Sequence, residues 1–359
     1  MSLLRRWAPA AGLLALSAAT SWLCWELRGF RMEGGDTSLF LSEAFLPFLE
    51  GECATFFFRE PLAFALPQIV VRTVGAHWPK EDVYGLSSCL AGGLFAVVLA
   101  LASRRPLFWL IMLVNATGFL FLGHIENYAF AYVCAVAVTL LGWRTARTRG
   151  ALWPVVALWA LGVGFHQAVA FMAPGVLALL VERRDGRLRW RGPDRSDTVR
   201  CLLLVIALGL LFVVPTVVSA FHVIKLVTYG TTGRMIEFIT PLSEAMDDQA
   251  EFGSQMGAWM RYTMFSAAHL RDVAMFQLWL CPLGLAALGI LAVQRRDAGD
   301  AFLLLAGGSM FLWSAVWHPH MGWNDWDLWS LMAAPLNTAA ALVFSGERPV
   351  TGGASATRP

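Results

Sequence analysis

Residues 85–102 read GLSSCLAGGLFAVVLALA and contain no charged side chain. An apolar stretch of about 18 residues or more is long enough to cross the roughly 30 Å hydrocarbon core of a bilayer as a helix. Arg104 and Arg105 follow at once, and basic residues are enriched in short loops on the cytoplasmic side of membranes. The stretch therefore predicts a transmembrane helix that ends on the cytoplasmic side.

The composition extends this prediction to the whole chain. Of the 359 residues, 57% are hydrophobic and only 14% are charged, and the mean hydropathy is +0.59. Soluble proteins carry roughly 45–50% apolar and about 25% charged residues. This balance, with a formal net charge of only +2, disfavours a soluble globule, a disordered chain and a basic nucleic-acid-binding domain. The six cysteines form no C-x-x-C pair, which disfavours a disulfide framework and a zinc site of that kind.

Nine further apolar runs are similar to 85–102. Each is predicted to be helical, because an open strand in lipid would leave its backbone without hydrogen bonds. We predict an all-α polytopic integral membrane protein with about ten transmembrane helices, with eight or eleven as alternatives. Residues 1–346 are predicted to form a single transmembrane domain and 347–359 a disordered cytoplasmic tail. The ten runs cover about 8–26, 85–102, 106–123, 127–143, 151–165, 168–181, 201–220, 274–293, 301–317 and 329–345.

Arginine clusters predict the orientation of the chain. The clusters at 104–105, 144–149, 183–200 and 295–296 are predicted to be cytoplasmic, as are both termini. These cytoplasmic segments hold 18 of the 27 Lys and Arg but 7 of the 25 Asp and Glu, giving a net charge of +11 against −9 on the other side. All seven histidines fall on that outer side. Because histidine and carboxylates perform acid–base chemistry, we expect an extracytoplasmic active site in a protein of the bacterial cytoplasmic (inner) membrane.

Two predicted outer segments are long, at about 29–84 and 221–273. Within the first, 38–50 and 61–74 have the spacing of amphipathic helices and are predicted to lie in the membrane interface. In the second, Met, Trp and Phe recur at similar spacing over 254–270. Both segments are therefore predicted to cover the outer face rather than to act as plain linkers.

The first outer segment carries two candidate sites. Asp36 follows two glycines that allow a tight turn, and a partly desolvated carboxylate at the lipid boundary can act as a general base. Alternatively, Asp36 or Ser38 only caps the helix that follows. The Arg59 guanidinium can bind a phosphate in bidentate fashion, whereas Glu60 beside a predicted helix start has an equally good structural explanation.

A very short outer turn, 123–128, reads GHIENY. A helical hairpin turn does not need His124, Glu126 and Tyr128 together, and ionisable groups at membrane depth indicate function by default. A simple polar turn is the alternative. His166 lies between apolar runs of only about 15 and 14 residues, too short for the bilayer core. We therefore expect His166 at the floor of an outward-facing cavity, or else as a buried histidine bonded to a backbone carbonyl.

The last outer loop, 317–329, reads WHPHMGWNDWDLW. Its four tryptophans are typical of the membrane interface, and aromatic faces also stack on sugar rings. His318 and His320 lie near the D-x-D pair of Asp325 and Asp327. Carboxylates with imidazole can hold a divalent cation. The loop therefore predicts substrate contacts, and it makes the two aspartates candidates for a Mg²⁺ or Mn²⁺ site.

Together these segments resemble the glycosyltransferase C (GT-C) superfamily, of the dolichyl-phosphate-mannose mannosyltransferase and aminoarabinose transferase type. The shared features are a cytoplasmic N-terminus, one span, and a long outer loop in which an acidic residue precedes interfacial helices. Here these are Asp36, the 38–50 segment and the REPL sequence at 59–62. The ENY sequence at 126–128 and NDWDL at 324–328 are similar to motifs of uncharacterised bacterial members. An acidic pair is common in the family's first loop, whereas two glycines separate the acidic residues here.

The resemblance implies sugar transfer, with inversion, from a polyprenyl-phosphate carrier in the membrane lipid to a glycan, lipid or protein acceptor on the extracytoplasmic face. It implies Asp36 as the general base, and we expect Glu126 as a second catalytic residue. Arg234, after the sequence GTTG, is our candidate for stabilising the departing phosphate. No nucleic-acid partner is expected. The residues expected to contact substrate are Arg59, Glu60, His124, Tyr128, His166, Arg234, His318, His320, Asp325 and Asp327.

A transporter is the main alternative to an enzyme. Histidine and glutamate at membrane depth equally suit a lipid or solute transporter without covalent chemistry. Transporters often show repeats and broken helices in matching halves, which the sequence does not reveal. A non-catalytic protein that keeps the fold is a third alternative. We therefore favour the enzyme and expect an outward-facing cavity in each case.

Overall fold

The structure is a computed structural model of the chain. It describes residues 2–32, 37, 41, 60–73, 77–126, 128–184, 187–192, 194–218, 267–294, 297–316 and 326–347. The greater part of the predicted helices at 38–50 and 254–270 lies outside the described residues.

The described residues are mostly helical, as the all-α prediction requires. Short 3₁₀ helices occur at Leu27–Phe30, Ala116–Phe121 and Gln167–Met172. The α-helices are α1 (Ser2–Glu26), α2 (Pro61–Thr73), α3 (Lys80–Ala102), α4 (Pro106–Leu113), α5 (Tyr128–Thr148), α6 (Trp153–Phe165), α7 (Ala173–Ala178), α8 (Arg195–Val218), α9 (Ala267–Leu280), α10 (Gly284–Val293), α11 (Ala298–Val316) and α12 (Trp326–Phe344).

Several of these helices can cross a bilayer. Among the described residues, five segments are long and apolar enough, and a sixth span results if the bent pair α9 and α10 counts as one. The chain is therefore an integral multi-pass membrane protein. The number of about ten spans stays a prediction, because several other apolar runs form short helices. The five segments are Pro9–Phe30, Lys80–Ala102, Tyr128–Thr148, Ala298–Ala315 and Trp326–Phe344.

The run 106–123, predicted as one span, is interrupted at Asn115. The Asn115 side-chain amide donates to the carbonyl oxygens of Ile111 and Met112 at 3.1 and 3.2 Å, and its oxygen accepts from the Thr117 N–H at 3.0 Å. Asparagine competes with helical backbone bonding in this way. The side chain thus ends α4 and begins the 3₁₀ helix that leads toward the 123–128 turn.

The run 274–293, also predicted as one span, bends by 91° between α9 and α10. Pro282 lies at the bend, where it cannot donate a backbone hydrogen bond and its ring obstructs a continuous helix. The carbonyl oxygen of Leu280 instead accepts from the Asn337 side-chain amide of α12 at 2.9 Å. Because lipid offers no hydrogen bonds, this contact satisfies a backbone group that the break releases.

The hairpin around His166 is short, in agreement with the sequence prediction. Helix α6 has 13 residues, about 20 Å at 1.5 Å per residue, and His166 ends it. The Gln167–Met172 3₁₀ helix and α7 return the chain. A two-stranded antiparallel hairpin follows, with β1 (Val181–Arg184) paired to β2 (Arg187–Trp190). The sequence analysis did not predict this hairpin, which is a local addition to the helical fold.

Arginine-rich connections meet at one end of the bundle. Arg105 donates to the Ser345 carbonyl oxygen at 2.7 Å, and Arg147 lies 3.0 Å from the Asp297 carboxylate. The Asp197 carboxylate accepts from the backbone N–H groups that begin α6, a favourable position for a negative charge. The predicted cytoplasmic connections therefore share one end of the molecule.

Helix α12 lies at the centre of the bundle. Every side chain from Trp326 to Leu342 is buried, and α12 packs on α5, α10 and α11. At the periphery, α1 packs against α3, where small residues permit close approach. A Cβ atom at Gly93 would lie only 2.5 Å from the Ser17 carbonyl oxygen. This packing positions the residues that follow α1 beside the 123–128 turn.

Candidate functional site

Three segments converge at the end of the bundle opposite the arginine-rich connections. They are the chain after α1, the turn that ends at Glu126, and the first turn of α12. Helix α12 connects the two ends of the bundle. Its 19 residues span about 28 Å, and Arg105 bonds to the chain just beyond its far end. The site is therefore assembled from parts of the chain that are remote in sequence.

His124, in the turn, contacts both of the other segments. Its Nδ1 lies 2.9 Å from the Met32 carbonyl oxygen, and its Nε2 lies 3.0 Å from Asp327 Oδ2. The two side chains are 0% and 2% exposed, so water screens their interaction little. The Trp326 ring lies beside the imidazole, with centroids 5.2 Å apart. Burial lowers the pKa of His124, and the negative charge of Glu126 opposes that shift.

Asp327 is held by the start of α12. Its Oδ1 accepts from the Leu328 backbone N–H at 2.8 Å, while Oδ2 faces His124. A carboxylate is favourable in the first turn of a helix because the N-terminal end of the helix dipole is positive. The helix therefore fixes the orientation of the carboxylate toward the imidazole.

Glu126 lies two residues beyond His124 and is buried. The Thr37 hydroxyl donates to Glu126 Oε1 at 3.1 Å. Glu126 also borders a small cleft, with a cavity volume of about 20 Å³, between α2, α3, α5 and α6. Tyr84, Ser87 and Ser88 of α3 provide other polar groups of its lining. The carboxylate thus connects the His124 cluster with a partly open cleft.

A second buried pair lies at the start of α2 and the end of α6. His166 Nε2 is 3.0 Å from Glu60 Oε1, with side chains 6% and 10% exposed. His166 Nδ1 accepts from the Ala168 N–H at 3.1 Å, so the histidine also caps the 3₁₀ helix. The Tyr128 ring lies beside it, with centroids 5.0 Å apart. His166 is therefore a buried histidine that bonds to a backbone N–H and not to the backbone carbonyl named as the alternative, and in addition it has a carboxylate partner.

Three ionisable side chains, those of His124, Glu126 and Asp327, lie close enough together to hold a metal ion. One ligand atom from each of His124, Glu126 and Asp327 lies within 4.8 Å of the others, and all three residues are buried. Imidazole nitrogen with carboxylate oxygen suits divalent transition metals. The sequence placed a candidate cation at Asp325 and Asp327. The structure groups Asp327 with two residues of the 123–128 turn, while Asp325 lies outside the described residues.

Half of the predicted site residues are described, and these form the two buried groups. Glu60, His124, Glu126, Tyr128, His166 and Asp327 lie at the same end of the bundle. Sequence reasoning did not single out Thr37, although it lies within the glycine-rich motif that contains Asp36. It also missed the Met32 carbonyl, because a backbone contact leaves no signal in the sequence. The predicted site residues outside the described ones are Asp36, Arg59, Arg234, His318, His320 and Asp325.

Comparison of the chain with protein-family models, with curated proteins and with solved structures finds no match. The site itself must therefore support any functional conclusion.

Proposed function

We propose that the protein is a membrane glycosyltransferase that moves a sugar from a polyprenyl-phosphate carrier to an acceptor on the extracytoplasmic face. The observation that carries this proposal is the concentration of buried histidines and carboxylates at one end of a multi-pass bundle, beside a cleft. The arginine-rich connections lie at the other end, which the positive-inside rule assigns to the cytoplasm. The resemblance to the GT-C superfamily supplies the reaction class.

The reaction needs a base and a stabilised leaving group. An acceptor hydroxyl oxygen attacks the anomeric carbon, the bond from that carbon to the phosphate oxygen breaks, and the carrier phosphate leaves with the electron pair. The hydroxyl proton passes to a carboxylate, and Asp36 is the proposed base. Thr37, the next residue, contacts Glu126, so the chain passes the cluster within one residue of the proposed base.

The surroundings of Glu126 suit a lipid substrate. The cleft bordered by Glu126 has largely apolar walls, such as Ala63 and Leu66 of α2 and Phe165 of α6. Apolar walls of this kind are compatible with a lipid carrier, whose polyprenyl chain remains in the bilayer.

A transporter is the second candidate, and the interrupted helices favour it. The chain breaks at Asn115 and bends by 91° between α9 and α10. Interrupted helices whose freed backbone groups bind substrate are typical of secondary transporters. Here the Leu280 carbonyl oxygen is bonded to Asn337 within the protein. We therefore rank transport below glycosyl transfer.

Purified protein in proteoliposomes tests the proposal. Radiolabelled polyprenyl-phosphate sugars are supplied with a panel of glycan, lipid and peptide acceptors, and transfer is measured by chromatography. A general base contributes about 10²–10⁴-fold to rate, so Asp36→Asn should lower kcat by about that factor. Glu126→Gln should also lower transfer. Glu81→Gln is the matched control, because Glu81 lies at the same end but is 53% exposed and pairs with Arg31.

Two results would contradict the proposal. Normal transfer by the Asp36→Asn variant would show that Asp36 is not the general base. Accumulation of a solute without any carrier lipid, together with the absence of transfer to every acceptor, would favour the transporter.

A further inference from the structure

The hydrogen bond at Nδ1 leaves Nε2 of His124 as the ring atom that faces a carboxylate oxygen. The Met32 carbonyl oxygen can only accept, so the contact with Nδ1 at 2.9 Å requires Nδ1 to carry hydrogen. In a neutral imidazole, Nε2 is then an acceptor. Asp327 Oδ2, 3.0 Å away, is also an acceptor when ionised. A positive charge between the two atoms, either a second proton on the imidazole or a metal ion, allows this contact.

The Glu60–His166 pair shows that this arrangement is not general. There, Nδ1 accepts from the Ala168 N–H, so Nε2 carries the hydrogen in the neutral ring and donates it to Glu60. That pair is satisfied without an additional cation. His124 and His166 therefore differ in the role of Nδ1, and when both rings are neutral His124 directs a lone pair at its carboxylate whereas His166 directs an N–H.

The distances at His124 fit ligands that share one metal ion. With bonds of about 2.1 Å, ligands at angles between octahedral and tetrahedral lie roughly 3.0–3.4 Å apart. The Nε2 to Oδ2 distance of 3.0 Å matches this range. Glu126 contributes a third ligand atom within 4.8 Å of both.

The surrounding contacts are those that support metal ligands. A metal-binding histidine usually donates its other N–H to a carbonyl or carboxylate, which fixes the ring and its tautomer. The Met32 carbonyl has this relation to His124. Ligating carboxylates are themselves hydrogen-bonded, as Asp327 is by the Leu328 N–H and Glu126 by the Thr37 hydroxyl.

We propose that His124 Nε2, Asp327 Oδ2 and a Glu126 carboxylate oxygen bind one divalent transition-metal ion. The imidazole ligand favours Zn²⁺ over Mg²⁺, which prefers oxygen, and the two carboxylates also suit Mn²⁺. Three protein ligands leave at least one position for an oxygen ligand from solvent or substrate. The proposal concerns binding, and it stands whether or not the protein transfers sugars.

Metal binding by the full-length protein tests the proposal without any substrate. Protein purified in detergent is stripped with a chelator, and Zn²⁺ or Mn²⁺ is then titrated by calorimetry. Elemental mass spectrometry gives the number of metal ions per chain, and electron paramagnetic resonance reports bound Mn²⁺. We expect one ion per chain, and we expect Mg²⁺ to bind more weakly.

Substitutions test whether these three side chains bind the ion. Asp327→Asn is nearly isosteric and should weaken binding by more than the 10–100-fold typical of lost outer contacts. Thr37→Val should weaken it by about 10–100-fold, because it removes only a contact to a ligand. Glu60→Gln is the matched control, since it alters the other buried histidine–carboxylate pair, and it should leave metal affinity unchanged.

Folding is followed by circular dichroism and size exclusion, so that a misfolded variant is recognised. The wild-type stoichiometry provides a test that needs no variant. Failure of the stripped wild-type protein to bind Zn²⁺ or Mn²⁺ would overturn the proposal, as would unchanged binding in folded Asp327→Asn. Metal binding without glycosyl transfer would instead contradict only the proposed function.

Discussion

Replacement of Gly123 by alanine tests the conformation of the turn that carries His124 and Glu126. Gly123 has a positive φ of 76°, a backbone conformation that L-residues with a Cβ adopt only at a cost. A Cβ at this position would also lie 2.7 Å from Arg28 Cβ. The variant therefore introduces backbone strain and a steric conflict with the 3₁₀ helix that follows α1.

The two effects set the size of the expected change. The left-handed conformation costs roughly 1–2 kcal/mol for a residue other than glycine. Ordinary contact begins at 3.4 Å, so the Arg28 side chain or the turn must move by about 0.7 Å, and overpacking costs typically 1–3 kcal/mol. We expect Gly123→Ala to lower the free energy of unfolding by about 2–5 kcal/mol and to displace His124 from Asp327.

Gly118→Ala is the matched control on the same connection. A Cβ at Gly118 would meet only the Leu113 carbonyl oxygen, at an ordinary 3.8 Å. Both variants are compared by reversible unfolding in mixed micelles, and by Zn²⁺ affinity. Equal stability and equal metal affinity in the two variants would refute the argument from the Gly123 backbone.

Three other predictions follow from packing, hydrogen bonding and pH. Gly93→Ala should be less stable than Gly308→Ala by about 1–3 kcal/mol in the same unfolding assay, because only the Cβ at Gly93 would enter a neighbouring helix; equal stabilities would contradict this. Asn337→Leu should cost about 1–3 kcal/mol, because it leaves the Leu280 carbonyl oxygen without its 2.9 Å partner, and no loss of stability would show that the bend needs no such bond. Hydrogen bonds from the Asp197 N–H and a neighbouring hydroxyl lower the pKa of Asp194 below 3.8, so its stabilising effect is present above pH 3.8 and is lost as pH falls through the lower folded-state value. Unfolding measured against pH should therefore show a smaller acid-induced loss of stability in Asp194→Asn than in the wild type, and identical profiles would refute this.

The sequence predicted where helices lie but not where they break. Apolar runs identify helices because lipid requires every backbone group to be bonded within the segment. A proline alone does not predict a break, since Pro335 lies inside the continuous α12 whereas Pro282 lies at a bend. The difference depends on tertiary contacts such as the bond from Asn337 to Leu280. Such contacts have no local signature.

The sequence identified several residues of the candidate site, but it did not show which of them contact one another. Charged groups in a short turn at membrane depth marked His124 and Glu126, because such groups are costly there. Their grouping with Asp327 depends on how α12 packs, and nothing in the D-x-D motif distinguishes Asp327 from Asp325. The pairing of Glu60 with His166 likewise depends on α2 meeting α6. Only the folded chain brings these residues into contact.

The contact between His124 and Asp327 joins residues 203 positions apart. This separation determines when the cluster can form during synthesis of the protein. At about 5–20 residues per second, a ribosome needs roughly 10–40 s to add the intervening chain. During that interval the growing polypeptide carries His124 and Glu126 at the membrane without their distant partner. The cluster closes only when α12, the last described helix, enters the bundle, so a chain truncated before α12 cannot build it.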